Sequence, residues 1–468
     1  MRASYDLVVI GHGAAGLCAA LAAAEAAREQ PARPAIALIE RAPEDACGGN
    51  TRWSPSNMRM RSPRSLEPRF VDDICDVSGG RADRAYFNRL AAEAPATVAW
   101  LEGHGIAFHS PVYYLSVGPP RIQPVGGGAV IVRELRRAAQ EADVEFFYEC
   151  RAERLVREQS GAVTGVDVRG ADGTARNIGA GAVVLACGGF QGNATMLRQH
   201  FGPGAEDIRQ VSPGGPFDSG DGIRMALDAG AQSSGDWSGM HAEPVDPRSA
   251  NAQALALVYP YGIVVDRDGK RFFDEGAGLV HETWEKFARG IHDSAPGRIA
   301  YAVLDSALFD IPDYRNAIKT EVPPYQADTI RELAALAGIA PEGLAQTLAE
   351  YNAAARGDPA RFDASRADGL AASPGLAPPK SNWARILKRP PYLAYPLVCA
   401  IVYTFGGVAT NDAAEVLGQD GPIAGLYAAG EITGHFHGIA PNAVATMRAL
   451  VFGHIAGTNA MRERMRCQ

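Results

Sequence analysis

The residues with the clearest chemical meaning stand near the amino end, Gly11-His12-Gly13-Ala14-Ala15-Gly16. They follow an apolar run, Tyr5 to Ile10, and open an alanine-rich stretch, Ala14 to Arg28. A second apolar run, Ala35 to Glu40, ends in an acid. Strand, glycine turn, helix, strand and acid, in that order, are what gripping a dinucleotide requires. Gly11 permits the tight turn, Gly13 lets a pyrophosphate approach the backbone, and Gly16 lets helix and strand pack closely. Free N–H groups and the positive dipole end at the helix start attract phosphate. Glu40, with Arg41 beside it, is expected to hydrogen-bond a ribose diol. The fingerprint does not choose between NAD and FAD.

Further glycine turns are dispersed along the chain: Gly48-Gly49-Asn50-Thr51, Gly126-Gly127-Gly128, Ala186-Cys187-Gly188-Gly189 and Gly430-Glu431. Such scatter suits an extended cofactor threaded through a whole domain. Competing chemistries lose support. The seven cysteines, at 18, 47, 75, 150, 187, 399 and 467, contain no C-x-x-C pair, which argues against zinc, iron–sulfur and dithiol sites. No metal is expected.

The elements that would position these groups can be traced. Gln30-Pro31-Ala32-Arg33-Pro34 breaks the first helix, and residues 41–80 read as irregular. Helical periodicity covers Arg84 to Gly103 and Val130 to Ala142. A meander follows through Glu145–Cys150, Arg154–Arg157 and Ala162–Arg169, with Gly170-Ala171-Asp172-Gly173 as a hairpin turn. Ala182 to Ala186 reads as a buried strand. From about residue 231 the texture is mixed, with helices near 281–290, 329–337 and 342–356 and a surface excursion over 357–380. From Tyr395 the pattern returns to strand, glycine turn, strand and helix. The expected fold is α/β, a Rossmann-like cofactor domain built from residues 1–230 and 391–468, with an inserted α+β capping domain over 231–390.

Bulk properties exclude several classes. The 468 residues carry a net charge of −8, with dispersed Lys and Arg, which excludes the basic stripe of a nucleic-acid binder. The densest basic stretch, Arg59-Met60-Arg61-Ser62-Pro63-Arg64, reads as a solvated loop or an anion contact. Apolar runs such as Leu397 to Tyr403 fall short of the ~18 residues of a membrane span. With no leader pattern before Leu7 and free thiols throughout, a cytoplasmic protein is expected, at most peripheral to the inner membrane.

Jointly, Val8-Val9-Ile10-Gly11, Gly48-Gly49-Asn50-Thr51, Val184-Leu185-Ala186-Cys187-Gly188-Gly189-Phe190 and Gly220-Asp221-Gly222-Ile223 resemble the flavoprotein subunits of fumarate reductases and succinate dehydrogenases. So do Gly269-Lys270-Arg271-Phe272, Phe405-Gly406-Gly407-Val408, Gly425-Leu426-Tyr427-Ala428-Ala429-Gly430-Glu431 and Val451-Phe452-Gly453. The likeness spans nearly the whole chain in the right order. Within that family, Arg271-Phe272-Phe273-Asp274-Glu275-Gly276, Tyr403-Thr404-Phe405-Gly406-Gly407 and a helix carrying Pro441, Ala443 and Arg448 resemble the tricarballylate dehydrogenase branch.

The resemblance implies an FAD-dependent enzyme acting on a C–C bond of a small carboxylated substrate by hydride transfer to flavin N5. Electrons would pass through a separate carrier, soluble or membrane-bound. A dehydrogenase of bulkier 3-oxosteroids and a non-catalytic flavoprotein are the alternatives. By the same resemblance, Gly11, Gly13, Ala15, Gly16, Glu40 and Arg41 hold the ADP half, and Gly49, Asn50 and Thr51 lie beside pyrophosphate and flavin. Gly127, Gly128, Ala186 and Gly188 run along the cofactor, and Asp221 sits near the flavin. Gly430 and Glu431 face the ribityl chain, while Asn442, Ala443 and Ala445 begin a helix aimed at the flavin pyrimidine edge.

Three departures from the family pattern shape the expected chemistry. Asn50 stands where membrane-bound relatives attach FAD through a histidine, so non-covalent FAD is expected. Leu279 takes the place of a proton-donating arginine, and Tyr403 that of a histidine, which removes support for fumarate reduction itself. The catalytic candidates are Arg448, for a substrate carboxylate or a structural ion pair, and Tyr403, as a phenol donor or a packed strand residue. His241 and His437, the latter next but one to His435, are candidates because they titrate near neutral pH.

Overall fold

The structure, a computed structural model, describes residues 1–30, 33–112, 114–115 and 118–466, so Pro31, Ala32 and Cys467 lie outside the described residues. They divide into two compact units: Met1–Pro111 with Pro119–His241 and Val402–Gln468, and Val112–Gly118 with Ala242–Ile401.

The first unit is organised by apolar runs with no polar face. Strand β1 (Ser4–Ile10) and strand β2 (Ile36–Ile39) pair in parallel, Leu7 opposite Ile36 and Ile10 opposite Ile39. Continuous burial of this kind suits a strand covered on both sides. Helix α1 (Ala14–Ala26) makes the crossover between them. β2 then pairs in parallel with β3 (Glu145–Phe147). The hairpin β4 (Arg151–Arg157) and β5 (Val163–Arg169) leads into β6 (Ala175–Leu185), whose second half runs parallel to β1, Val183 beside Val8. The carboxyl-terminal hairpin β7 (Glu415–Gly418) and β8 (Gly421–Ala428) joins the other edge of β6. The sheet has eight strands in the order β7-β8-β6-β1-β2-β3, with β4 and β5 branching from β6. It is the parallel α/β sheet expected, assembled from both ends of the chain.

Two helices close over this sheet because their facing residues are small. The long terminal helix α5 (Ala445–Arg466) packs on α1 through Gly453 and Gly457. A Cβ at Gly457 would stand 1.9 Å from the carbonyl oxygen of Ala19, and one at Gly453 would stand 2.4 Å from that of Ala15. The core beneath is contiguous, running from Leu7, Leu17 and Leu38 to Phe452 and Met461.

Residues 41–80 are more regular than expected. They contain a short helix α2 (Gly49–Trp53) and a longer one at Phe70–Val77 that buries Phe70 and Ile74. The i, i+4 spacing of those two residues was masked by the Gly, Pro and Arg around them. Two further helices used below are α3 (Gly128–Glu141) and α4 (Asp221–Asp228).

The second unit is built on antiparallel pairs. Ala300–Asp305 lies between Ile263–Val265 and the long strand Tyr392–Thr404, in which Ala302 faces Tyr395. Helices Val280–Ser294, Ile330–Ala337 and Pro341–Ala354 belong to it. A buried ion cluster ties its turns: Arg271 meets Glu275 at 2.6 Å, and Lys380 lies 3.7 Å from the same carboxylate while donating to the carbonyls of Pro260 and Gly262. Arg271 thus secures its own hairpin, bridging to Val265.

Among the described residues no helix is long and apolar enough to cross a membrane, and no cluster of His, Cys, Asp and Glu has metal-binding geometry.

The tight helix pair makes a test. Gly457→Val forces a side chain into the α1 backbone, and overpacking of this kind costs about 1–3 kcal/mol or more. We expect a lowered melting temperature in thermal denaturation, with Gly457→Ala intermediate.

Candidate active site

A cavity opens in the first unit where β1, β2, β6 and β8 end, lined there by Ile10, Ile39, Ala186 and Ala429. Crevices beyond the carboxyl ends of parallel strands are where open α/β sheets bind ligands.

The amino-terminal turn forms one wall. Gly11 has φ +110°, and a Cβ there would lie 2.3 Å from the Ala186 carbonyl oxygen. Gly16 sits against Gly11, its missing Cβ 1.9 Å from that residue's carbonyl oxygen. Gly13 differs: nothing comes nearer than 3.9 Å to the Cβ it lacks. The approach over Gly13 is therefore open, beside the first N–H groups of α1, which have no intrahelical acceptor. The Ala14 N–H donates to Thr51 Oγ1 at 3.2 Å, fixing α2 beside that helix start.

Glu40 ends β2 as expected and is buried. Its Oε2 accepts from the His12 N–H at 2.9 Å and its Oε1 from the Ala42 N–H at 2.7 Å, leaving further lone pairs for a ligand. Burial pushes its carboxyl upward, against those two bonds. His12 is enclosed, its Nε2 3.2 Å from the Tyr148 hydroxyl, and burial lowers its imidazole to about 3, so it is neutral. Nearby, Asp221 takes two bonds from Arg151, at 3.0 and 2.9 Å, and one from Arg41 at 3.2 Å. Burial opposes the Asp221 carboxylate, but the Arg151 and Ser219 bonds prevail and hold it below its usual range.

A second wall carries Asn50, Tyr403, Glu431 and Arg448. The Asn50 amide donates to the Val402 carbonyl at 2.8 Å and accepts from Ser212 Oγ at 2.6 Å. Glu431 accepts from the Thr404 N–H at 3.0 Å, and burial pushes its carboxyl up to about 7. Tyr403 has the His241 ring against it, centroids 4.9 Å apart, and Phe436 at 6.1 Å. Arg448, 1% exposed, lays its guanidinium 3.9 Å over the Phe436 ring and donates to the Thr433 carbonyl at 3.1 Å. Its Nε has no partner, and among the described residues no carboxylate pairs with it. It acts on the Glu431 carboxylate of the same wall, short of a salt bridge. A buried cation without a direct ion pair favours an anion beside it.

Of the residues singled out from sequence, Gly11, Gly13, Ala15, Glu40, Arg41, Gly49, Asn50, Thr51, Ala186, Gly188, Asp221, Gly430, Glu431, Ala445, Tyr403 and Arg448 line this one cavity. Others stand outside it. Gly16 supports the turn from below. Gly127 caps α3, and Gly128 presses on the Thr51 carbonyl, 1.8 Å from the Cβ it lacks, so the pair braces α2. Asn442 and Ala443 precede α5, and the Ala443 carbonyl accepts from the Arg59 N–H at 2.9 Å. His241 is not in the cavity wall and lies against the Tyr403 ring. His437 is half-buried, where burial and Arg81 lower its imidazole against the pull of Asp236. His435 is buried, bonded to Thr410 at 2.8 Å and stacked on Tyr86 at 3.6 Å, a core histidine.

Sequence reasoning passed over Asp218, Arg151 and Cys187, all of which line the cavity. The acid-x-x-acid spacing of Asp218 and Asp221 within a glycine loop was the available signal for the first. Arg151 offered none, because its role depends on where β4 is carried.

An open parallel sheet with a glycine-floored crevice at its strand ends, backed by an acid closing the second strand, defines a dinucleotide-binding protein. Residues 6–446 match the FAD binding domain family model, and the chain belongs to that family. A probable fumarate reductase, Ifc3, of Shewanella frigidimarina is 30% identical over 98% of this chain and 75% of its own length. A 4-oxocyclohexanecarboxylate 2-dehydrogenase of Sinomonas cyclohexanicum is 29% identical over 84% of this chain and 70% of its own. The open conformation of a flavocytochrome c3 fumarate reductase superposes with a TM-score of 0.77 at 28% identity, covering 99% of this chain and 79% of that one. The protein is an FAD-dependent oxidoreductase of the fumarate reductase-like group. The cavity fits the cofactor: an open backbone cradle at Gly13 and acceptors on Glu40 are what its phosphates and ribose need.

Replacing Glu40 tests that fit. Glu40→Ala strands the His12 and Ala42 N–H groups, at about 1–3 kcal/mol each. We expect flavin content per protein, read from the visible-to-ultraviolet absorbance ratio, to fall sharply, with Glu40→Gln between the two.

Proposed function

We propose that the protein moves two electrons across a C–C bond next to a carboxylate of a small, tricarballylate-like polycarboxylic acid. In this reading FAD is held without a covalent bond, and electrons are exchanged with a separate carrier. The observation that carries it is Arg448, a buried guanidinium in the cavity wall with no salt bridge among the described residues and an Nε left without a hydrogen bond.

FAD, when bound, supplies the two-electron acceptor or donor. The chain supplies the rest. Arg448 binds a substrate carboxylate and stabilises the negative charge on it. The Phe436 ring beneath it fixes the plane of the guanidinium. Tyr403 donates its hydroxyl to a carboxylate or carbonyl oxygen, and the His241 ring holds the phenol in place. The Asn50 amide, committed to Val402 and Ser212, has no nucleophile to offer the flavin, which supports non-covalent binding. A 3-oxosteroid would leave Arg448 without a counter-charge, so the carboxylate reading is favoured over the steroid one.

Anaerobic flavin absorbance distinguishes the two. Tricarballylate or a related polycarboxylate should bleach the flavin, and a 3-oxosteroid should not. Arg448→Ala should lower kcat/KM by about 30-fold to several thousand-fold, since losing a buried charge partner costs about 2–5 kcal/mol. Tyr403→Phe should have a smaller effect. Bleaching by the steroid alone, or parent-like rates in both variants, would overturn the assignment. Acid precipitation should leave all flavin in the supernatant; colour in the pellet would show a covalent link.

A further inference from the structure

Beyond the Glu40 end, the cavity wall holds an arrangement that binding a cofactor does not by itself explain. Asp218 and Glu431 come from distant parts of the chain, yet both line the cavity and share one amide. Gln191 Nε2 donates to Asp218 Oδ2 at 2.5 Å and reaches Glu431 Oε2 at 3.4 Å. Gln191 is 1% exposed and Asp218 7%.

The glycine pair after β6 makes room for these acids. A Cβ at Gly188 would lie 2.0 Å from Asp218 Oδ1, and one at Gly189 would lie 2.2 Å from Glu431 Oε1. The space that two ordinary side chains would fill is occupied by two carboxyl groups.

Among the described residues neither acid has a salt bridge, and the charges of Arg41 and Arg448 offset theirs only in part. Besides Glu431, the charges acting on Asp218 are those of Glu40 and Arg41, and Arg41 is engaged with Asp221 and Ser219. On the same loop Cys187 is a neutral thiol, pushed up to about 12 by burial. Arg448 is the cation nearest Glu431, and it spends its hydrogen bond on the Thr433 carbonyl. Two carboxylates that share one amide, with Asp218 buried and neither in a salt bridge among the described residues, resist ionising together. A place for a proton exists: Gln191 Oε1 is buried and has no donor. A carboxyl O–H on either acid could satisfy that oxygen once the amide turns.

We propose that Asp218 and Glu431 form a proton-sharing acid pair in the cofactor cavity, holding one proton between them at neutral pH, and that FAD binds with that proton in place. A second carboxylate would face the two cofactor phosphates across the same low-dielectric cavity. Flavin affinity therefore falls as pH rises through the range in which the pair loses its proton. Linkage limits the slope to tenfold per pH unit for one proton. The inference rests on the FAD assignment and is independent of the substrate.

Two measurements on the holoprotein test it. Infrared difference spectra at neutral pH, wild type against Asp218→Asn and against Glu431→Gln, should show one neutral carboxylic-acid C=O band in the wild type and its loss in each variant. In either variant the remaining neighbour is an uncharged amide. Flavin release on dilution, followed by free-flavin fluorescence, should give an apparent Kd that rises at least about tenfold between about pH 6 and pH 9 in the wild type. In Asp218→Asn it should be nearly flat. A wild type without the band, or a band and slope that persist in both variants, would overturn the proposal. If either variant fails to fold, titrating the wild-type band with pH decides alone: a band absent throughout the neutral range refutes it.

Discussion

Backbone-to-backbone contact at a few glycines governs this structure. Gly11 lies against the Ala186 carbonyl, Gly16 against that of Gly11, and Gly453 and Gly457 against those of Ala15 and Ala19. Through these contacts β1, β6, α1 and α5 approach without intervening side chains. The result is geometric: both helices begin at the rim of one cavity, Ala14 and Ala15 on one side, Ala445 and Thr446 on the other. Two positive helix ends converging on one space favour an anionic ligand.

Charge is distributed unevenly around that cavity. At the Glu40 end, acids and arginines neutralise one another, with Asp221 held by Arg41 and Arg151. At the Tyr403 end Arg448 is buried without a salt bridge among the described residues, and between the two ends Asp218 and Glu431 share the Gln191 amide, their charges offset only in part by Arg41 and Arg448. Local neutrality at one end and its absence elsewhere separates surfaces that are complete in themselves from surfaces that need a ligand or a proton. The second unit shows the first condition in its own core, where Arg271, Glu275 and Lys380 compensate one another.

Much was legible in the chain because the signals were local. The strand–turn–helix start and Glu40 at the end of β2 depend on hydrophobic pattern and glycine spacing within 40 residues. The helix beginning at Arg84 was equally plain, with Asp83 accepting from the Ala85 and Tyr86 N–H groups as its cap. The helix at Phe70 was missed because eight residues carry little periodicity. Gly127 and Gly128 looked like cofactor glycines, but Gly128 is small because the Thr51 carbonyl lies against it. A glycine tells that something comes close, and not what.

By itself the sequence determined the sheet class, the dinucleotide turn and its acid, because each follows from the period and composition of neighbouring residues. Tertiary structure alone decided which distant side chains meet. It placed Asp218 beside Glu431 across Gln191, made His435 a core residue, and left Arg448 Nε without a hydrogen bond. Those outcomes depend on burial and on charges brought together from distant parts of the chain. Neither quantity exists until the chain has folded.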